Sequence, residues 1–186
     1  MALSINRKLN LVIDIEGDQG PMHVHSVPIG RATFERYYYP IARAFAEIYK
    51  GQLGVFSGPR VAYLTLREIA QNTETWDGPA GVKNGLVGEI RRLTNVAVPG
   101  PAGWQTLMYD DAVKEGRITE DDDAEVMNAL VFFTLASSMH NHNDRPKVLK
   151  TFLGFWGGSL TSLNSTEFAA SLATSKPAAS IGVKMG

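Results

Sequence analysis

All four histidines fall in two His-x-His pairs, His23 with His25 and His140 with His142, and Asp144 closely follows the second pair. Imidazoles two residues apart on a strand point to the same side, so one pair can give two nitrogens to a metal ion. The other pair, with Asp144, would complete a tetrahedral or octahedral set. Metal-dependent chemistry on this chain would need these two distant segments to meet. The plainer alternative puts His23 and His25 on a solvated strand face, and His140 and His142 just past a helix end, where partial positive charge is favourable. No spacing joins the pairs, so the plainer alternative is preferred and no metal ligand is assigned. His140-Asn141-His142 also matches the letters that name a nuclease class, but in that class the residues are spread through a longer motif, and no basic nucleic-acid face accompanies them here.

Other reactive residue types are present without the spacing that reactions need. Glu120, Asp121, Asp122, Asp123 and Glu125 lack the alternating ligands and central glycine of a calcium loop, and consecutive carboxylates are expected at a helix start. Asp14, Glu16 and Asp18 alternate, but across a turn region where acidic residues are common. Gly78 to Gly85 has neither the phosphate-loop spacing nor a Lys followed by Ser or Thr. Ser159, Ser162 and Ser165 sit in no nucleophile elbow. There is no cysteine, which removes disulfides, thiolate zinc sites and a thiol nucleophile. No catalytic residue, cofactor or metal is therefore assigned, and the chain is expected not to be an enzyme.

The elements that carry these residues read as mainly α with an N-terminal β-hairpin, an α+β arrangement. The expectation is one compact helical domain over residues 1–172, with the hairpin at 9–27 and a mobile C-terminal tail at 173–186. Leu9–Ile15 and Met22–Val27 are the two strands, with His23 and His25 on one face and Met22, Val24 and Ser26 on the other. Thr33 is expected to cap a helix that Pro40 splits near Tyr38, the second part running to Tyr49. Val61–Ala70 and the Leu86, Ile90, Leu93 series form two amphipathic helices. Pro99-Gly100-Pro101 makes Val96–Gly103 a loop that delivers Trp104, and a helix from about Gln105 to Glu115 follows. Thr119 with Asp122 resembles a capping box at the start of a further helix. From Val126 to Met139 that helix is dominated by Val, Met, Ala, Leu and Phe placed all round, so it is buried on most sides or meets a partner. Lys147–Trp156 and Thr166–Leu172 supply the last apolar elements.

With 186 residues, 18 basic against 19 acidic side chains and a net charge of −1, the chain has no global field to hold nucleic acid or an anionic membrane. Residues 1–10 do not read as a signal peptide, and no apolar run has the roughly 18 residues of a membrane helix. What exceeds obvious need is apolar surface: Tyr37-Tyr38-Tyr39, Phe132-Phe133, Phe152 and Phe155-Trp156. A binding module is favoured over an enzyme.

From Arg91 to Leu172 the chain resembles tail assembly chaperones of long-tailed bacteriophages. The residues that carry this are Arg92-Leu93-Thr94-Asn95, Gly103-Trp104, the acidic stretch into Glu125-Val126, Val131-Phe132-Phe133-Thr134, and Leu160 to Phe168. The resemblance covers under half the chain and rests on packing and capping residues. It implies a non-enzymatic helper in the host cytoplasm that binds the tape-measure protein, keeps its apolar helices in solution, helps recruit tail tube subunits and is generally absent from the finished particle. Phe132, Phe133, Phe155 and Trp156 are the expected client anchors, on physical grounds alone. A homo-oligomer is compatible with this reading. The alternatives are a virion structural protein of the tail or head-to-tail connector, located in the particle, and a metal-binding enzyme built on the histidine pairs.

Overall fold

The alternation from Asn10 to Gly17 and from Gly20 to Ser26 produces two antiparallel strands, β1 (Asn10–Gly17) and β2 (Gly20–Ser26), with Val12 opposite His25 and Asp14 opposite His23. This computed structural model describes residues 9–17, 20–50, 54–101, 103–141, 143–153 and 158–172. The tail expected at 173–186 lies outside them.

The hairpin is part of a larger sheet. β3 (Thr94–Gly100) pairs with β2, β4 (Gly103–Met108) pairs with β3, and β5 (Ser159–Thr161) pairs with β1, giving the all-antiparallel order β4-β3-β2-β1-β5. The loop expected at Val96–Gly103 is thus mostly strand. Pro99 is accommodated because it lies at the turn end of β3, opposite Trp104, and Gly103 supplies a φ of 122°. Residues 105–108, expected to be helical, form β4 instead, and the helix begins only at Tyr109.

The helices are α1 (Arg31–Arg36), α2 (Tyr38–Lys50), α3 (Gly54–Asn72), α4 (Gly88–Arg92), α5 (Tyr109–Lys114), α6 (Glu120–Met139), α7 (Arg145–Leu153) and α8 (Ser165–Leu172), with a π-helical turn at Lys83–Val87 leading into α4. The break between α1 and α2 falls at Tyr37, and Pro40 sits in the first turn of α2, where its missing N–H costs nothing. Gly30, not Thr33, occupies the cap of α1. α3 starts before the expected Val61 and contains Pro59. Four residues after that proline, the Tyr63 N–H donates to the Asn128 side-chain oxygen at 2.9 Å, which ties α3 to α6.

Two helix starts follow the sequence closely. The Thr119 hydroxyl oxygen accepts from the Asp122 N–H at 3.2 Å. Acidic residues fill the first turn of α6, where they complement its positive end. At α8 the Glu167 N–H donates to the Asn164 side chain at 2.9 Å, and the Asn164 N–H donates to the Glu167 carboxylate at 3.0 Å. This is a reciprocal capping box.

α6 is the centre of the core. Its buried residues run without interruption from Leu130 to Ser137, and it packs on α2, α3, α4, α7 and β1. The polar residues within it bond inside the fold, as buried polar groups must. The Asn128 side chain donates to the Ala124 carbonyl at 2.8 Å. Thr134 donates to the Leu130 carbonyl at 2.9 Å. Ser137 donates to the Thr134 carbonyl at 3.2 Å. Leu11, Ile15, Met22, Val24, Val96 and Val98 face this helical layer from the sheet.

α3 approaches α6 closely at Gly58. A Cβ there would lie 2.6 Å from the Phe132 ring and 2.9 Å from the Ile48 side chain. Gly58→Ala should cost about 1–3 kcal/mol through overpacking, read as a lower urea midpoint with an unchanged m-value; a wild-type midpoint would contradict this packing.

Candidate functional site

Burial decides first which of the expected anchors are reachable. Phe132 and Phe133 are 1% and 3% exposed. Phe132 meets the Phe152 ring edge-on at 5.1 Å. Both phenylalanines of α6 are therefore core residues and cannot seat a client. Apolar residues all round this helix left burial and partner contact both open; the structure resolves the choice in favour of burial, because α2, α3, α7 and the sheet enclose it. Phe155 and Trp156 lie outside the described residues. Of the tyrosine triplet, Tyr37 is buried while Tyr38 and Tyr39 are exposed.

The histidine pairs are occupied separately. On β2, His23 Nδ1 lies 2.6 Å from an Asp14 carboxylate oxygen, and its ring packs against Trp104 at 5.0 Å and Phe168 at 5.8 Å. His25 is 1% exposed, not solvated as expected, because the segment leading into α8 covers this face of the sheet. Its Nε2 lies 3.0 Å from the Leu163 carbonyl oxygen. A carbonyl only accepts, so Nε2 carries the proton. Asn10 donates to the same carbonyl at 2.8 Å. His140 bonds through Nδ1 to the Ala136 carbonyl at 2.7 Å and packs on Phe45 of α2. His142 lies outside the described residues. Among the described residues, no group of three or more His, Asp or Glu side chains is placed to hold a metal ion.

The acidic stretch does more than cap. Asp123 accepts from the Tyr109 hydroxyl at 2.6 Å and lies 3.3 Å from the Arg91 guanidinium. Arg91 also donates to Asp110 at 2.7 Å and lies 4.9 Å from the Tyr109 ring centroid, a cation over an aromatic face. This network joins α4, α5 and α6, and nothing in the spacing of Arg91, Tyr109 and Asp123 foretold it. Burial, with the Asp123 carboxylate beside it, pushes the Tyr109 phenol well above its ordinary range.

A broad concave feature lies between β1 and the N-terminal half of α6. It is an open groove of about 660 Å³. Ile13, Ile15, Val126 and Ala129 give it an apolar floor, with Pro59 on the α3 side. Glu16, Asp122 and Glu125 stand at its margin against one cation, Arg60, while Asp14, also at the margin, has its carboxylate bonded to His23. It offers an apolar strip with an acidic margin, and the described residues that line it include no paired nucleophile and base.

No helix among the described residues is long and apolar enough to cross a membrane. Comparison with known protein families, characterised proteins and solved structures gives no match.

The Tyr109 phenol yields a pH prediction. Its pKa is higher folded than unfolded, so the stability it contributes is complete below its unfolded value of about 10 and is lost as pH rises above that. Denaturant midpoints from about pH 9 to about pH 11 should fall more steeply in the wild-type chain than in Tyr109→Phe, and parallel profiles would contradict this assignment.

Proposed function

We propose that this chain is a non-enzymatic binding protein that shields an apolar helix of a partner and, following its resemblance, a tail assembly chaperone of a long-tailed bacteriophage. Its client on this reading is the tape-measure protein, with recruitment of tail tube subunits as the accompanying task, both in the host cytoplasm. The observation that carries the reading is the groove along β1 and α6. An amphipathic helix laid in such a groove buries its apolar stripe on the floor. The carboxylates of Glu16, Asp122 and Glu125 against one guanidinium favour clients whose stripe is flanked by Lys or Arg, and disfavour acidic ones. The groove replaces Phe132 and Phe133 as the place of contact.

A second reading, a virion structural protein, has its own support. Among the described residues β4 borders the sheet with β3 as its only strand neighbour, and its sequence Gly-Trp-Gln-Thr-Leu-Met has no charge or proline to discourage pairing. Such an edge can accept a strand from an adjoining subunit.

Co-expression with the tape-measure protein encoded nearby, followed by pull-down and a solubility assay, separates the two. The chaperone reading expects co-purification with a soluble client and absence from mature particles; no capture, with the chain found in particles, would overturn it. Glu16 and Glu125 are exposed at the groove. The double variant Glu16→Lys, Glu125→Lys should weaken capture about ten-fold or more while the thermal midpoint stays near wild type.

A further inference from the structure

The guanidinium groups of Arg91 and Arg145 are both drawn part-way out of water, and they are compensated differently. Arg91 has two carboxylates and an aromatic face. The guanidinium of Arg145, the first residue of α7, makes a single hydrogen bond among the described residues, from Nη2 to the His140 carbonyl at 3.3 Å. That bond caps the C-terminal end of α6 and uses one of the several N–H donors of the guanidinium. The Arg145 Nε is buried without a hydrogen-bond partner. Burial lowers the pKa of this guanidinium. A cation partly removed from water and left without an anion is a costly arrangement that a bound carboxylate would relieve.

Arg145 lines a cavity of about 350 Å³. Ser137 and Ser138, at the end of α6, share that wall, and Pro28, Ile29 and Phe34 form an apolar one. Glu35 is the carboxylate at this cavity, and it is engaged by Arg31 at 2.6 Å. Ser137 donates its proton to the Thr134 carbonyl, which leaves the Ser138 hydroxyl as the neutral donor on the wall beside Arg145.

We propose that this cavity is a carboxylate-binding site, taking a ligand whose carboxylate meets Arg145 and Ser138 and whose short apolar stem packs on Phe34 and Ile29. Guanidinium is suited to the carboxylate because its planar fork matches the two oxygens, and Lys in its place would not reproduce the fit. The carboxylate can belong to a free aromatic or aliphatic acid or to the end of a polypeptide, and the chemistry at Arg145 is the same for both.

The test uses the full chain, ¹⁵N-labelled, at constant ionic strength with chloride as the balancing anion. Sodium benzoate, sodium acetate, N-acetylphenylalanine and N-acetylphenylalanine amide are titrated while the Arg145 Nε–H resonance and the thermal midpoint are followed. Benzoate should shift both saturably and bind more tightly than acetate. Arg145→Gln should weaken benzoate about ten-fold or more, consistent with losing a charge-assisted hydrogen bond, and Arg145→Lys should restore little. Should Arg145→Gln unfold through loss of its contact to α6, Phe34→Ala carries the test, since it should bring benzoate down to the affinity of acetate. N-acetylphenylalanine binding like benzoate, with its amide inert, assigns the site to chain ends; benzoate binding alone assigns it to a free acid. A response to chloride equal to that of the carboxylates, no saturable shift with any of them, or undiminished benzoate binding in Phe34→Ala overturns the proposal.

Discussion

The need to enclose α6 on nearly every side governs how the other elements of this fold are arranged. A helix with apolar residues all round has no face to give to water, so it must be wrapped. Here α2, α3, α4, α7 and the inner face of the sheet provide the wrapping. The side chains of Asn128, Thr134 and Ser137 are admitted to the interior because each finds a carbonyl or an N–H within the fold. Once α6 is enclosed, its middle can present nothing to a partner, and only its ends reach the surface. Both candidate sites lie there. The acidic groove flanks the N-terminal half, where Asp122 also complements the positive end of the helix dipole. The cavity of Arg145 lies beyond Ser137 and Ser138, where the dipole is negative and a guanidinium is favoured.

The outer face of the sheet obeys a different logic. It is covered late in the chain by the segment from β5 into α8. What holds this cover is the pairing of β5 with β1, the Leu163 carbonyl shared by Asn10 and His25, and Phe168 against both β2 histidines. The histidine pair of β2 therefore acts as its anchor. His23 turns to Asp14 and Trp104, and His25 turns to a carbonyl. His140, from the other pair, belongs to the helical layer, where it meets Phe45.

Much of the fold was legible because it is written locally. Alternation over residues 10–26 marked the first hairpin, Thr119 with Asp122 marked the start of α6, and the position of Pro40 marked the break between α1 and α2. The misreadings share a cause, since in each a local signal was outweighed by distant partners. Pro99-Gly100-Pro101 signalled a loop, yet Val96 and Val98 are buried against the helices and β3 pairs on both sides. The helix expected from Val61 begins earlier, and α3 continues through Gly58 and Pro59, packed against Phe132 and Ile48 and bonded to Asn128. The candidate site was the least legible part. Glu16 and Glu125 were visible as acidic residues at a turn and a helix start, but only pairing of the hairpin and packing of α6 against β1 bring them to one groove.

Hydrogen exchange of the full chain, with and without the tape-measure client, would locate the contact on one element or the other. Client bound in the groove should slow exchange over β1 and the first turns of α6, and leave β4 unchanged. Protection confined to the β4 edge, with β1 and α6 exchanging as in the free chain, would contradict the groove as the place of binding.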